Sequence, residues 1–517
     1  MINNWQVPRN KRRLYPVVDI LSLFTLQNLG EHWQGDLTRQ LDFEAELERF
    51  GIKRIGQRRD RRGSGARTYE SWLYNLGLIF TETNTGITRT TLAGDALLSG
   101  QPPVPIIRNQ LMKLQYPSTY SIRSRVNINN RFQIRPFRFI LRLLEDQRVQ
   151  TLSKQEIGRF VITEGENETD ECYENVVSHI LNYRTHGDEI LSNDFETLYQ
   201  SSTTGIRSRQ NTISYLEDIA NTFINYLEYT QLIRRNADGA IFIIFEMLDE
   251  VKRILNDGTP LRSLNRTHDF GIENFQRNYG LAPCQNRDNR NFGRQNVSDS
   301  IYRERRIRSE LLHIAGTTPI CNISNDIILR IATSTGYDLN QVESALNGFR
   351  PDTFSLFEAS YINMAISGRE LATEFEIATQ GVFEQLGFHT EHVGAQPLNP
   401  DVYIESPLGY SGILDTKAYR RYSITNDHRN RMVINYIPSF QNNGLEFFMY
   451  IADGFGSNIP SQIQNIASVT NINGSVISAA NVIRLLQRNQ TNPITHQNLR
   501  NLFACNDVIT VSDIDSI

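Results

Sequence analysis

The chain has 517 residues with 53 basic and 57 acidic side chains, a formal net charge of −4 and a mean hydropathy of −0.41. No apolar run approaches the ~20 residues that span a bilayer, and the basic stretch Met1–Pro16 lacks the apolar core of a secretory signal, so a cytoplasmic protein with no membrane partner is expected. The four cysteines (Cys172, Cys284, Cys321 and Cys505) form no CxxC pair, which argues against a thiolate zinc site and a disulfide framework. His389 and His392 lie close together without further ligands and read as surface residues.

The charge is unevenly spread. Residues 1–150 hold 23 Lys and Arg against 13 Asp and Glu, and the remainder is net acidic. A basic first third on an acidic chain predicts a surface meant for phosphates. Its basic residues are mostly arginine, whose planar fork matches phosphate or guanine better than lysine does.

Taken in chain order, residues 17–30 have the apolar spacing of a helix, and a second amphipathic stretch runs from Asp36 to Phe50. Five arginines then fall within ten residues: Arg58, Arg59, Arg61, Arg62 and Arg67, interleaved with glycines. This predicts a loop or helix start facing a polyanion, with those five as candidate DNA contacts. Thr68–Leu76 is a short helix. Leu78–Phe80 and Ile87–Thr91 are short strands around the turn Asn84-Thr85-Gly86, and Leu92–Leu98 returns to helix. Helices followed by a small hairpin make a winged-helix pattern, with a recognition helix at about Gly63 to Leu76.

The pattern recurs. Phe137–Glu145 and Ser153–Phe160 are helical, the second opened by a capping box at Ser153 and Glu156. Tyr215–Tyr229 is a helix, and Gln231–Arg235 and Ala240–Ile244 form a hairpin before another helix near Glu246–Leu255. Residues 258–300, rich in Asn, Arg and Gly, read as a connection or a DNA-contacting insertion. Helical patterns follow at Tyr302–Ala315, Asn325–Ala332 and Asn340–Gly348. A long helix from Ile366 to Leu386 leads into the last domain. The expected organisation is multidomain α+β: a recognition region with a winged helix (1–165), a second winged-helix-like module (166–260), a connecting helical region (261–360) and a nuclease domain (361–517).

That last domain carries the chemistry. Asn399-Pro400-Asp401 opens a strand, and Asp415-Thr416-Lys417 ends its hairpin partner. Side chains two apart on a strand leave the same face, so Asp415 and Lys417 point together, and Asp401 can converge on them. Phosphodiester hydrolysis needs hard cations held by oxygen ligands, which two carboxylates supply. A lysine beside them orients or deprotonates the attacking water and offsets phosphate charge. Asp401, Asp415 and Lys417 are therefore the candidate catalytic residues, with Mg2+ as cofactor. Glu374, Glu376 and Glu384 on the preceding helix are candidates for a further acidic ligand, of which Glu376 is favoured. Strands at Leu445–Ile451 and Ser475–Ile477, with helices near Ile463 and Val482–Leu486, fit a PD-(D/E)xK α/β core.

On Asn399–Ile404, Asp415–Tyr419 and Thr470–Ser478, residues 366–517 resemble the cleavage domain of the type IIS restriction endonuclease FokI. The front half resembles the AlwI, PleI and MlyI type of endonuclease at Trp72–Gly94, Lys113–Ser118 and Thr230–Ile233, more weakly and with different loop lengths. The resemblance implies a modular enzyme: an N-terminal region reads a short asymmetric site in double-stranded DNA, and the C-terminal domain cuts outside it. It implies dimerisation through the cleavage domain, because one centre cuts one strand, and a cognate DNA methyltransferase in the same system. The same residues are compatible with a strand-specific nickase or the large subunit of a heterodimeric enzyme. A winged-helix regulator with an inactive nuclease domain is the reading from another class.

Overall fold

A computed structural model describes the chain apart from residues 10, 55–61, 125, 201–207, 237, 263–268 and 294–297. The chain divides into two units, residues 1–311 with 326–351, and residues 312–325 with 352–517. Among the described residues no helix is long and apolar enough to cross a membrane.

The first unit is mainly helical. Helix α1 (Val17–Asn28) is buried along nearly its whole length, and α2 (Leu37–Arg49) starts on Asp36, whose carboxylate accepts from Arg39 N at 3.0 Å. Helix α3 (Ser64–Asn75) begins four residues before the short helix read at Thr68–Leu76 and close to the Gly63 start read for a recognition helix. Strands β1 (Ile79–Thr81) and β2 (Thr88–Thr90) pair antiparallel, and their turn closes on Gly86, which holds φ +69°. This left-handed conformation costs glycine little. Helix α4 (Leu92–Leu98) follows, capped by the Thr91 hydroxyl, and α5 (Pro103–Lys113) runs after it. The second hairpin, β3 (Ile233–Arg235) with β4 (Ile241–Ile243), also forms, behind a helix at Arg209–Tyr229 that is longer than predicted. The Ser153–Glu156 capping box is present.

Two readings gain detail in this unit. The 258–300 region is more than a connection, because Asp269–Tyr279 is a helix. Its Gln276 donates to Tyr74 O at 2.6 Å and Ile79 O at 3.0 Å, satisfying carbonyls at the end of α3 and the start of β1. The polar composition that suggests a loop includes buried amide bonds to backbone, which hydropathy does not register.

Part of the basic excess of the first third is paired within the unit. Arg123 grips the buried Glu70 of α3 with two bonds at 2.7 and 2.8 Å. Arg135, Arg142 and Arg148 pair with Glu168, Asp170 and Glu174 at 2.5, 2.6 and 2.8 Å. Arg131 pairs with Glu166. Acidic residues from beyond position 150 thus return to arginines before it. The local charge count sees the cations without their partners.

Packing at α4 allows a direct test. A β-carbon on Gly94 would stand 2.2 Å from Leu78 O, a backbone atom that cannot rotate away. Gly94→Ala should therefore destabilise the first unit by about 2 kcal/mol, within the usual range for overpacking. The check is the urea midpoint, and an unchanged midpoint would show that α4 shifts freely against β1.

The second unit is built on a six-stranded sheet in the order β10-β9-β8-β7-β6-β5. The strands are β5 (His389–His392), β6 (Val402–Glu405), β7 (Ser411–Thr416), β8 (Leu445–Ala452), β9 (Asn473–Ser478) and β10 (Val508–Ile509). Strands β5, β6 and β7 are antiparallel neighbours, whereas β7 to β10 run parallel. The expected leading helix starts later, at Ala372, after a separate helix at Thr353–Ala365 and a short turn at Gly368–Glu370. Alternation sends Val402, Ile404, Leu414, Phe447 and Met449 to one face, against Phe375, Val382, Phe383, Val482 and Leu486. Tyr403, Ile413, Phe448 and Tyr450 face the other way, against Tyr422, Met432, Tyr436 and Ile463. Two covered faces explain why β8 is apolar from Phe447 to Ala452 rather than alternating.

Candidate active site

The hairpin register builds the centre. Val402 pairs with Leu414, so one step further along puts Asp401 across from Asp415. Asp401 N donates to Leu414 O at 3.0 Å, which continues the ladder through that step. Cross-strand neighbours in an antiparallel pair share a face, and this is the face carrying Tyr422, Tyr436 and Tyr450. Lys417 follows the end of β7 and is tied to β8 through Ile451 O at 2.7 Å. Its Nζ lies 2.8 Å from Asp415 Oδ2, and these side chains are only 15% and 4% exposed.

Asp401 Oδ2 accepts from Thr416 N at 2.6 Å and from Thr416 Oγ1 at 2.9 Å. Even so, burial first and the Asp415 charge second push its pKa up to about 8, with Glu376 adding to the rise and Lys417 opposing it. Burial alone would pull the Lys417 ammonium down, but the Asp415 and Asp401 carboxylates outweigh it and hold the group above its ordinary value. The site therefore gathers more negative charge than its one lysine neutralises.

Glu376, from the helix Ala372–Gln385, reaches the same rim. A β-carbon on Gly394 would be 3.1 Å from both Asp401 Cα and Glu376 Oε2. Glu376 Oε2 is also 2.8 Å from His392 Nε2 on β5. His392 is thus a partner of a candidate site acid, a role that its spacing in the chain does not announce. Glu374 and Glu384 lie on the same helix, and Glu384 bonds Thr390 Oγ1 at 2.8 Å, away from Asp401's immediate contacts.

A second set of residues lies outside the sequence expectation. Tyr422 OH is 2.9 Å from His428 Nδ1, and Tyr450 OH donates to His428 O at 3.4 Å. Burial and then the Lys417 charge lower the His428 pKa. Tyr436 sits in a π-helical turn, Arg431–Tyr436, and burial followed by the Asp415 charge raises its pKa. These groups arrive from three separate elements, so no spacing in the chain reveals them. The one available signal is the aromatic content after Lys417, at Tyr419 and Tyr422.

The residues present fit a hard divalent cation. Two adjacent carboxylates, one of them with its pKa pushed up first by burial and then by its neighbour's charge, are relieved by positive charge. Among the described residues no three His, Cys, Asp or Glu side chains are close enough to hold an ion by themselves. A divalent cation suits such a site, because such ions are commonly bound through carboxylates with substrate phosphate and water completing the shell.

Of the predicted DNA contacts, Arg58, Arg59 and Arg61 lie outside the described residues. Arg62 and Arg67 are exposed at the start of α3, and Arg67 Nη1 donates to Gln40 Oε1 at 2.8 Å and to Arg62 O. The rest of α3 is turned inward, with Ala66, Tyr69, Trp72, Leu73 and Tyr74 buried. Of its other residues, Arg67 and Thr68 are exposed and Ser71 is half-buried.

Residues 336–510 match the family described as FokI, cleavage domain, and residues 67–269 match the one described as restriction endonuclease BpuJI, N terminal. No curated protein matches the chain. Two solved structures are similar over 98% of this chain and 99% of theirs: restriction endonuclease FokI, at 15% identity and a TM-score of 0.30, and FokI bound to DNA, at 14% and 0.27. The assignment rests on the two family matches and not on that distant likeness. The front-half family is that of BpuJI, where the sequence motifs point to the AlwI, PleI and MlyI group. The chain therefore joins a BpuJI-type N-terminal segment to a FokI-type cleavage domain, and it is a restriction endonuclease of the type IIS kind, an enzyme that hydrolyses DNA.

Proposed function

We propose that Asp401, Asp415 and Lys417 form the cutting centre, that its cofactor is Mg2+, and that cleavage falls outside a site read by the front half. The observation that carries this is the Asp401–Asp415 pair, buried carboxylates facing each other across the hairpin with Lys417 Nζ 2.8 Å from Asp415, an arrangement that pushes the Asp401 pKa up. Such a pair is costly unless a cation joins it. Asp401 and Asp415 would hold the metal, with Glu376 as the additional acid once it turns from His392. When bound, the cation supplies Lewis-acid stabilisation of charge on the scissile phosphate. Lys417, kept charged by its two neighbours, donates to the attacking water and offsets phosphate charge. The tyrosine wall limits water around the carboxylates, which strengthens every charge interaction there.

Partners follow from the same reading. Double-stranded DNA is the substrate. One centre cuts one strand, so two copies would meet through the cleavage domain for a double-strand break. A cognate methyltransferase would protect the host's own sites. The front half, read as winged-helix modules over 1–165 and 166–260, would bind DNA through Arg58, Arg59, Arg61, Arg62 and Arg67, which lead into the start of α3.

The test is incubation with a mixed-sequence plasmid and magnesium, followed by sequencing of the ends. A fixed motif at a fixed distance from every end is expected, and open circles instead of linear product would indicate a nickase. Full cutting in EDTA would overturn the metal assignment. Replacing the five arginines with glutamine should weaken duplex binding and reduce its salt slope by roughly 0.9 for each phosphate that the variant no longer neutralises. An unchanged slope would place this cluster in solvent.

A further inference from the structure

We propose that a cleft in the first unit, lined by Arg108, Lys113, Arg138 and Arg262, binds the phosphate of a nucleotide, supplied in the first instance by the DNA strand. The cleft measures about 560 Å³ and is formed by residues between Pro105 and Asn286. That is within the ordinary size of a small-molecule site, roughly 300–1,000 Å³. Arg135 and Arg253 also line it, and Glu250 and Asp257 are the acids on its wall. Its apolar surface includes Met112, Phe275, Tyr279 and Leu281. A cationic rim over an aromatic and aliphatic floor is the chemistry that accepts a phosphate with a base or sugar beside it.

Arg108, Lys113 and Arg138 are fixed by backbone carbonyls, which orient a charge without cancelling it, whereas Arg135 and Arg253 pair with Glu168 and Glu250 at 2.5 and 2.6 Å. Arg108 Nε and Nη2 donate to Thr230 O at 2.9 and 2.7 Å, and its nearest carboxylate, Glu250, is 3.8 Å away. Arg138 Nη2 donates to Leu255 O at 3.0 Å and Asp257 O at 2.8 Å, with the Asp257 carboxylate at 3.9 Å. Lys113 Nζ reaches Leu281 O at 3.4 Å. Gln115 clamps the backbone of Arg262 by two bonds of 3.0 Å. The Lys113–Ser118 motif thus supplies one cation and pins another. Burial pulls Lys113 down to about 8 and lowers Arg108 and Arg138, which marks cations whose charge is under-compensated. An anion entering the cleft would restore that balance.

This inference rests on the reading of the front half as DNA-binding, and its test separates the two. The full chain and the double variant Lys113→Gln with Arg262→Gln are compared in EDTA by fluorescence anisotropy on a short mixed-sequence duplex over a salt series. ATP is titrated separately without DNA. The variant should bind the duplex about tenfold more weakly, with a salt slope smaller by roughly 1 to 2. Lys113→Arg, which keeps the charge, should bind as wild type and so rule out a folding defect. If duplex binding is unchanged but ATP binds wild type and not the variant, the site stands and its phosphate comes from a free nucleotide. If neither probe distinguishes the variant from wild type, the proposal is overturned, whether or not the wild-type protein cuts plasmid. Loss of plasmid cutting in wild type would instead strike the enzyme reading.

Discussion

Asp415→Ala should reduce plasmid cleavage by about 10³-fold or more, because the several kcal/mol that a bound metal contributes to phosphoryl chemistry would be lost. Asp415 is 4% exposed and is Lys417's direct partner, at 2.8 Å. Its removal would therefore take away an oxygen proposed to hold the metal and free the lysine at once. Single-site loss should be nearly complete, because groups that act as a unit are strongly non-additive. Duplex binding in EDTA should remain, since the recognition segment, matched over residues 67–269, is far from position 415 in the chain and has its own fold. The measurement is cleavage rate with magnesium alongside binding without it. Cutting at wild-type rate by this variant would remove Asp415 from the centre.

Asp401→Asn should have the opposite effects on activity and stability. It should abolish cutting, yet raise the melting temperature of the metal-free protein. The Asn oxygen can still accept from Thr416 N and Thr416 Oγ1, which bond Asp401 Oδ2 at 2.6 and 2.9 Å. What disappears is a buried carboxyl whose pKa stands at about 8 beside Asp415, against 3.8 when unfolded. Between those values the folded chain binds a proton that the unfolded chain does not, so wild-type stability falls as pH rises through that window. The fall is at most about 1.4 kcal/mol per pH unit and levels off above the folded value. The variant's advantage should thus be absent near pH 4, grow toward pH 8 and stay constant above it. Adding magnesium should reduce the difference by binding wild type. Equal melting temperatures at pH 8 in EDTA would mean that the pair carries no electrostatic strain.

Much of the local structure is legible in the sequence because it depends on near neighbours. The two hairpins at 79–90 and 233–243, helix α4 and the Ser153 capping box follow from turn chemistry, periodicity and capping within a few residues. The helix at Asp269–Tyr279 escapes such a reading because its Gln276 is buried by bonds to carbonyls about two hundred positions away. Periodicity also makes the leading helix of the second unit too long, because apolar residues continue across the break at Gly368–Glu370.

The centre divides in the same way. Asp401, Asp415 and Lys417 can be named from residue types and spacing, because a hairpin of known register brings such residues together. Glu376 can be named as a candidate from its position on the preceding helix. Its contact with His392, the tyrosines around Lys417 and the acids that occupy the front arginines cannot. The sequence by itself determined which groups could do the chemistry and that two carboxylates and a lysine would share one face. The tertiary structure decided their charge state and their neighbours, because burial and Coulomb interaction depend on which distant elements pack together.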